Sequence, residues 1–259
     1  MIYLASRSPR RLALLEQIGI TDVRLLLDED EARAEALEAV RPRESPTHYV
    51  ERVARAKAEA AWARLLQLSG APHPGSAPAS ISAENEAVNE AAKGSDIAIA
   101  AGTQDPPQQD TPQQDTPQQD TPQNGLPDGH WPLAPLLAAD TTVAVGGRIL
   151  GKPADAEDAA RILGMLSGRS HRVLSSVVVV NARGKIRQRT QVSRVRFRRL
   201  TDEDIEAYIA SGEPFGKAGA YGIQGRAAAF VKKLEGSYSG VMGLPLFETA
   251  ELLGKAMKA

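Results

Sequence analysis

The segment Ser6-Arg7-Ser8-Pro9-Arg10-Arg11 sets two hydroxyls among a run of arginines just ahead of an apolar-periodic stretch. Proline at a first helical position, with serine before it, marks a helix N-terminus, where unpaired backbone N–H groups favour an anion. Phosphate oxygens are the ligands such a site takes, and guanidiniums match them geometrically; the same residues also compose an ordinary N-cap with solvated arginines. Lys57 falls on the stripe made by Val50, Val53 and Ala54. An ammonium there either snorkels to water or meets an anionic partner inside a cleft. The run Asp28-Glu29-Asp30-Glu31 offers the oxygen ligands that Mg²⁺ prefers, and equally reads as a solvated acidic turn.

Asp140 stands before Thr141-Thr142 at the mouth of a hairpin whose turn is Gly146-Gly147. An acid is a poor strand former, so its position asks for a reason. Counting outward from a two-residue turn sets Thr141 opposite Lys152, with Asp140 next along. Ideal alternation puts Asp140 and Lys152 on different faces, so a shared site needs a bulge or an early strand end; otherwise the two form a surface ion pair of little weight. The loop GKAGAYGIQG, residues 216–225, gathers four glycines around Lys217, Tyr221 and Gln224. Glycines let a ligand approach the backbone, and Gln224 offers both a donor and an acceptor to a base edge. Its spacing fits neither the dinucleotide nor the Walker pattern.

The elements that must position these residues are well punctuated. Residues 2–5 read as a buried strand, followed by a helix capped by Ser8, with Leu12, Leu15 and Ile18 inward and Gly19 as terminator. A second helix runs from Ser45-Pro46 to about Leu68. Residues 140–145 and 148–150 form the hairpin, and 155–167 a helix capped by Asp155 with Ile162, Leu163 and Leu166 inward. Residues 173–180 read as strand, 181–185 as turn, and a further strand passes through Val195 and Phe197. Thr201 caps a helix ended by Gly212; a short strand lies around 228–231, and a last helix follows Pro245. The class is mixed α/β.

With 259 residues and 42% apolar content, the chain is long enough for a sizeable core without metal or disulfide support. The absence of cysteine excludes thiol nucleophiles and thiolate zinc sites. Arg7, Arg10 and Arg11 precede any long apolar run, which is wrong for a signal peptide, and no stretch approaches the ~20 apolar residues that span a bilayer; the expectation is a cytoplasmic protein. Residues 69–134 hold ten of the seventeen prolines and three copies of QQDTP. They read as a low-complexity, disordered or loosely ordered insertion dividing one domain made of 1–68 and 135–259. The insertion carries nine acids and one base, so the remainder has 30 basic against 23 acidic residues. A basic body of that kind suits an anionic substrate.

Taken together, LASRSPRR at 4–11, RVARAKA at 52–58, AADTTV at 138–143, GKP at 151–153, LSGRSH at 166–171, AGAYGIQG at 218–225 and GLPL at 243–246 resemble the Maf family of nucleoside triphosphate pyrophosphatases. The resemblance implies the elongated mixed-sheet α/β fold shared with inosine-triphosphate pyrophosphatases, with a site in a cleft between two lobes. It implies hydrolysis of a nucleoside triphosphate to monophosphate and pyrophosphate, and AGAYGIQG with GLPL is similar to the subgroup acting on dTTP and UTP. By the same resemblance Asp140 is the general base or metal-associated carboxylate and Glu31 its acidic partner, with Glu29 as the other match, organising Mg²⁺ or Mn²⁺. Arg11, Lys57 and Lys152 would hold the triphosphate, Ser6, Ser8 and Arg10 would line the pocket, and Arg10, Thr141 and Gln224 would bear on substrate choice. A homodimer is left open. Two rival readings are a non-catalytic nucleotide-binding regulator of cell division, and nucleic-acid binding through Arg194, Arg196, Arg198 and Arg199, the latter disfavoured by the scarcity of aromatic stacking partners.

Overall fold

A computed structural model of the chain describes residues 1–28, 32, 36–71 and 131–258. Strand β1 (Ile2–Leu4) is wholly buried, and the chain then turns into helix α1 (Pro9–Gln17), with Ser8 as N-cap. Leu14 and Leu15 are its buried residues. Ile18, expected to face inward, is instead the C-cap, because Gly19 leaves the helix at φ 79°. Strand β2 (Val23–Leu25) pairs in parallel with β1. Helix α2 (Pro46–Ser69) starts where the Ser45 hydroxyl accepts the His48 N–H and stops at Gly70, in the left-handed conformation.

Strand β3 (Leu136–Val145) and β4 (Arg148–Leu150) form the expected hairpin, with Gly146 and Gly147 both at positive φ as a type I′ turn requires. β3 begins at Leu136, so Asp140 lies in mid-strand and not at the hairpin mouth. Helix α3 (Ala156–Leu166) is capped by Asp155. Strands β5 (Ser170–Val180) and β6 (Ile186–Phe197) meet at a turn in which the Asn181 side-chain oxygen accepts from the N–H groups of Arg183 and Lys185. Helix α4 (Asp202–Ala210) opens on a reciprocal capping box between Thr201 and Asp204. Of the short strand expected around 228–231, residues 228–230 instead belong to a 3-10 turn spanning 226–230, in keeping with the low β-propensity of Ala227–Ala229. Strand β7 (Val231–Glu235) follows, then a short helix α5 (Tyr238–Met242) absent from the sequence expectation, and α6 (Leu246–Met257).

Among the described residues, seven strands make one mixed sheet in the order β2-β1-β3-β5-β6-β7, with β4 also on β3. On one face, α1 and α6 pack over Leu137, Ala139, Val177 and Val179, and further along Val143, Val173, Val195 and Phe197 lie under α3 and α4. The long α2 covers the other face, first over Leu136, Ala138 and Val178 and then, through Tyr49, Val50 and Val53, over Ala144 and Leu174. β1 pairs with β3 only at Leu136 and Leu137, and β4 only from Val143 to Val145. Between them, residues 138–142 of β3 have no strand on that edge among the described residues. This notch opens the middle of β3 to both faces of the sheet.

Most of the insertion expected at 69–134 lies outside the described residues. At its ends, Ser69 closes α2, while Trp131 stacks on Tyr3 with centroids 5.7 Å apart and the Pro132 carbonyl accepts from the Tyr3 hydroxyl. Packing of the main body therefore reaches back to Trp131.

Candidate active site

A cleft of about 1140 Å³ occupies the notch, lined from the N-terminal turn, α2, β3, the segment after β4 and the glycine-rich loop. Every described residue expected at the site, namely Ser6, Ser8, Arg10, Arg11, Lys57, Asp140, Thr141, Lys152 and Gln224, lines it. Glu31 and its alternative Glu29 lie outside the described residues.

Strand alternation divides β3's polar residues between the two faces. Asp140, 6% exposed, points to the α2 face, where its Oδ1 accepts from Lys57 Nζ at 2.8 Å. The same ammonium donates to Glu38 Oε1 at 2.6 Å, and Lys152 Nζ donates to Glu38 Oε2 at 3.0 Å. Charges thus alternate from Asp140 through Lys57 and Glu38 to Lys152. Lys57 does not snorkel: its stripe position aims it at two carboxylates. Lys152 reaches this side because β4 ends at Leu150, two residues before alternation would turn it away. Glu38 was missed by sequence reasoning. It is one of six acids in residues 28–38, and no local signal separates it from the denser run before it. Burial pushes the Glu38 carboxyl up, but the Lys57 and Lys152 ammoniums outweigh burial and hold it below the ordinary value.

Thr141 faces the other way. Its hydroxyl shares a 2.8 Å bond with Ser175 and lies 3.4 Å from the Gly243 carbonyl. That carbonyl also accepts from Arg11 Nε at 2.9 Å, and Arg11 Nη1 donates to Ser6 Oγ at 2.9 Å. Burial pulls the Arg11 guanidinium below its ordinary value, opposed by the nearby Asp140 carboxylate. Ser8 makes no side-chain capping bond, so its hydroxyl, like the α1 N-terminus, is available to an anion.

The opposite wall is the loop from Gly216 to Gly225. Gly219 sits at φ 73° against β3, and a Cβ there would come within 2.8 Å of Val143. Behind the loop, buried His171 bonds the Tyr221 hydroxyl at 2.8 Å through Nε2 and meets Phe197 and Tyr221 edge-on. Burial lowers its pKa to about 4. The arginine run weighed as a rival, nucleic-acid-binding face divides between different surroundings: Arg194 and Arg196 are exposed on β6, whereas Arg198 is held by Asp204 at 2.6 and 2.8 Å and lies over Phe230.

The family model for Maf-like proteins matches residues 1–256. A dTTP/UTP pyrophosphatase of Ralstonia nicotianae is 48% identical over 98% of this chain and 93% of its own length. One of Cupriavidus metallidurans is 46% identical over 99% and 96%. The nucleoside-triphosphatase, dITP/XTP pyrophosphatase, of Mycobacterium abscessus overlaps at a TM-score of 0.34 and 15% identity, covering 99% of this chain and 94% of that one; so weak an overlap adds nothing to the family match.

Proposed function

This chain belongs to the Maf-like family, and from that premise we propose that it hydrolyses nucleoside triphosphates, dTTP and UTP among them, to nucleoside monophosphate and pyrophosphate. The observation that carries the reading is the chain of alternating charges from Asp140 to Lys152 inside the cleft, with Arg11 and the α1 N-terminus on its other side. Cations placed to neutralise phosphate charge, next to a buried carboxylate able to take a proton, are the parts that phosphoanhydride hydrolysis needs.

Asp140 accepts the proton of a water whose oxygen bonds to the α-phosphorus, while the bond from that phosphorus to the α–β bridging oxygen breaks and pyrophosphate leaves. Lys57, Lys152 and Arg11 hold the phosphate oxygens, and the Ser6 and Ser8 hydroxyls donate to them. Glu38 serves as a carboxylate beside Asp140; Glu31, expected in such a role, lies outside the described residues. Among the described residues no group of three or more His, Cys, Asp or Glu side chains could hold a metal. Mg²⁺ needs fewer, because one or two carboxylates suffice when substrate phosphates and water complete its shell. Asp140 and Glu38, both within bonding distance of one ammonium, fit that demand. Mg²⁺ or Mn²⁺ bound there would supply charge neutralisation at the phosphate oxygens.

Among the described residues no helix is long and apolar enough to cross a membrane. We place the reaction in the cytoplasm, where nucleoside triphosphates are made.

The test is incubation of the purified protein with dTTP or UTP and Mg²⁺ or Mn²⁺ in ¹⁸O-labelled water. The expected result is equimolar monophosphate and pyrophosphate, with the label in the monophosphate. Label in pyrophosphate would reject attack at the α-phosphorus. Tight binding without products would replace the reading by a non-catalytic nucleotide-binding role.

A further inference from the structure

The hydrolytic chemistry gathers at one end of the cleft, around Asp140. The glycine-rich wall has a different electrostatic character. There Lys217 is the N-cap of the 3-10 turn Ala218–Ala220, and its stem folds back over Gly222. A Cβ on Gly222 would lie 3.2 Å from Lys217 Cε, 3.3 Å from its Cδ and 3.5 Å from Gln224 Oε1. The lysine and the glutamine therefore both approach Gly222, which has no side chain to separate them. Lys57 and Lys152 each bond a carboxylate, whereas the Lys217 ammonium bonds the Glu213 backbone carbonyl. One of its three donors is thereby used, leaving two for the cleft. Arg10 completes the group: its buried Nε has no hydrogen-bond partner among the described residues, and its charge adds to burial in lowering the Lys217 pKa.

We propose that Lys217 is a specificity-determining residue whose ammonium, beside Gln224 and on the Arg10 side of the cleft, donates to the 4-keto oxygen of a uracil or thymine base and so disfavours cytosine. Lysine and arginine side chains carry donors and no acceptors. A keto oxygen satisfies such a group, while the amino group that cytosine bears at the same position meets it donor to donor and leaves both unpaired. Gln224, with a donor and an acceptor, covers the adjoining ring N–H. The inference rests on the proposed function only in taking a nucleoside triphosphate as the occupant.

The test compares equilibrium binding of the non-hydrolysable α,β-methylene analogues of UTP and CTP to the wild-type protein, Lys217→Met and Lys217→Arg. Methionine keeps a stem over Gly222 without the donors. In Lys217→Met the UTP analogue is expected to weaken about tenfold or more, as for a lost hydrogen bond to a charged group, with the CTP analogue changing less than about threefold; Lys217→Arg retains the preference. Equal weakening of both analogues would show a phosphate contact, and no weakening would show no contact; either overturns the proposal, as does a wild-type protein that binds both alike. Should Lys217→Met melt early, Lys217→Leu, shorter and likewise without donors, reads the same ratio. Pyrophosphate release from UTP is followed in parallel. Base-selective binding without release would reject the hydrolysis and keep the role of Lys217, whereas release with an unchanged UTP-to-CTP ratio in the variant would reject that role alone.

Discussion

Asp140 and Glu38 share the Lys57 ammonium, and this sharing lets the two carboxylates be tested apart. Asp140→Asn removes the proton acceptor while keeping size and one acceptor for Lys57, so kcat is expected to fall by about 10²–10⁴-fold, the range of a general base, with the thermal midpoint little changed. Steady-state rates and circular dichroism check both parts; full activity in that variant would move the base elsewhere. Glu38→Gln acts differently, because Glu38 touches Lys57 and Lys152 but not the position given to the attacking water. Its main expected effect is on the metal requirement, raising the Mg²⁺ concentration for half-maximal rate by about tenfold, as for one lost charge-assisted contact. A Glu38→Gln enzyme with an unaltered Mg²⁺ curve would remove Glu38 from metal binding. Nothing near Glu38 in sequence announces it, for its partners lie 19 and 114 residues away. Lys57 was legible because a cation on an apolar stripe breaks a pattern; a lone acid in an acid-rich segment breaks none.

The elements were readable wherever a terminator or cap fixed them. Ser45, Asp155 and Thr201 cap their helices as expected, each accepting a backbone N–H, and Gly146-Gly147 sets the hairpin register that predicts Lys152 near Asp140. The sequence did not reveal that β3 starts at Leu136, since its early residues read equally well as helix or strand and their partners in β1 and β5 are remote. The notch is a product of two partial pairings on one edge of β3, a tertiary fact with no local signature. The glycine-rich wall is fixed to that strand by Gly219. Its φ of 73° strains any other residue, and an added Cβ would meet Val143 at 2.8 Å, with the Val143 side chain itself packed and unable to yield. Gly219→Ala is accordingly expected to destabilise the protein by about 2–4 kcal/mol, combining backbone strain with overpacking, and to raise KM by displacing Lys217 and Gln224. Urea unfolding and steady-state kinetics read the two effects; a variant as stable as the wild type would show that the loop is not seated on β3.

The molecule joins its parts through a few buried polar contacts, and the one between His171 on β5 and Tyr221 in the substrate-facing loop makes stability depend on pH. His171 is 2% exposed, and burial lowers its pKa from 6.5 to about 4. The folded protein therefore binds this proton less readily than the unfolded chain does. The stability that neutral His171 permits is fully present above pH 6.5 and is lost as pH falls from there to about 4, levelling off below; the shift corresponds to about 3 kcal/mol. Carboxylates act in a lower window, since Arg52 holds Glu44 at about 2 against an ordinary 4.5, so its contribution falls away mostly as pH drops below the histidine range. Urea unfolding at intervals from pH 7.5 to 4 is expected to show the wild type losing about 3 kcal/mol more than His171→Gln, whose side chain can still bond Tyr221 but takes up no proton. The substitution sacrifices ring packing against Phe197 and lowers stability at every pH, so the difference in slope between the two proteins, rather than either absolute value, carries the comparison. Parallel curves across that window would mean that His171 is protonated as readily inside the protein as outside it, and that the Tyr221 contact is not the pH-sensitive link between sheet and loop.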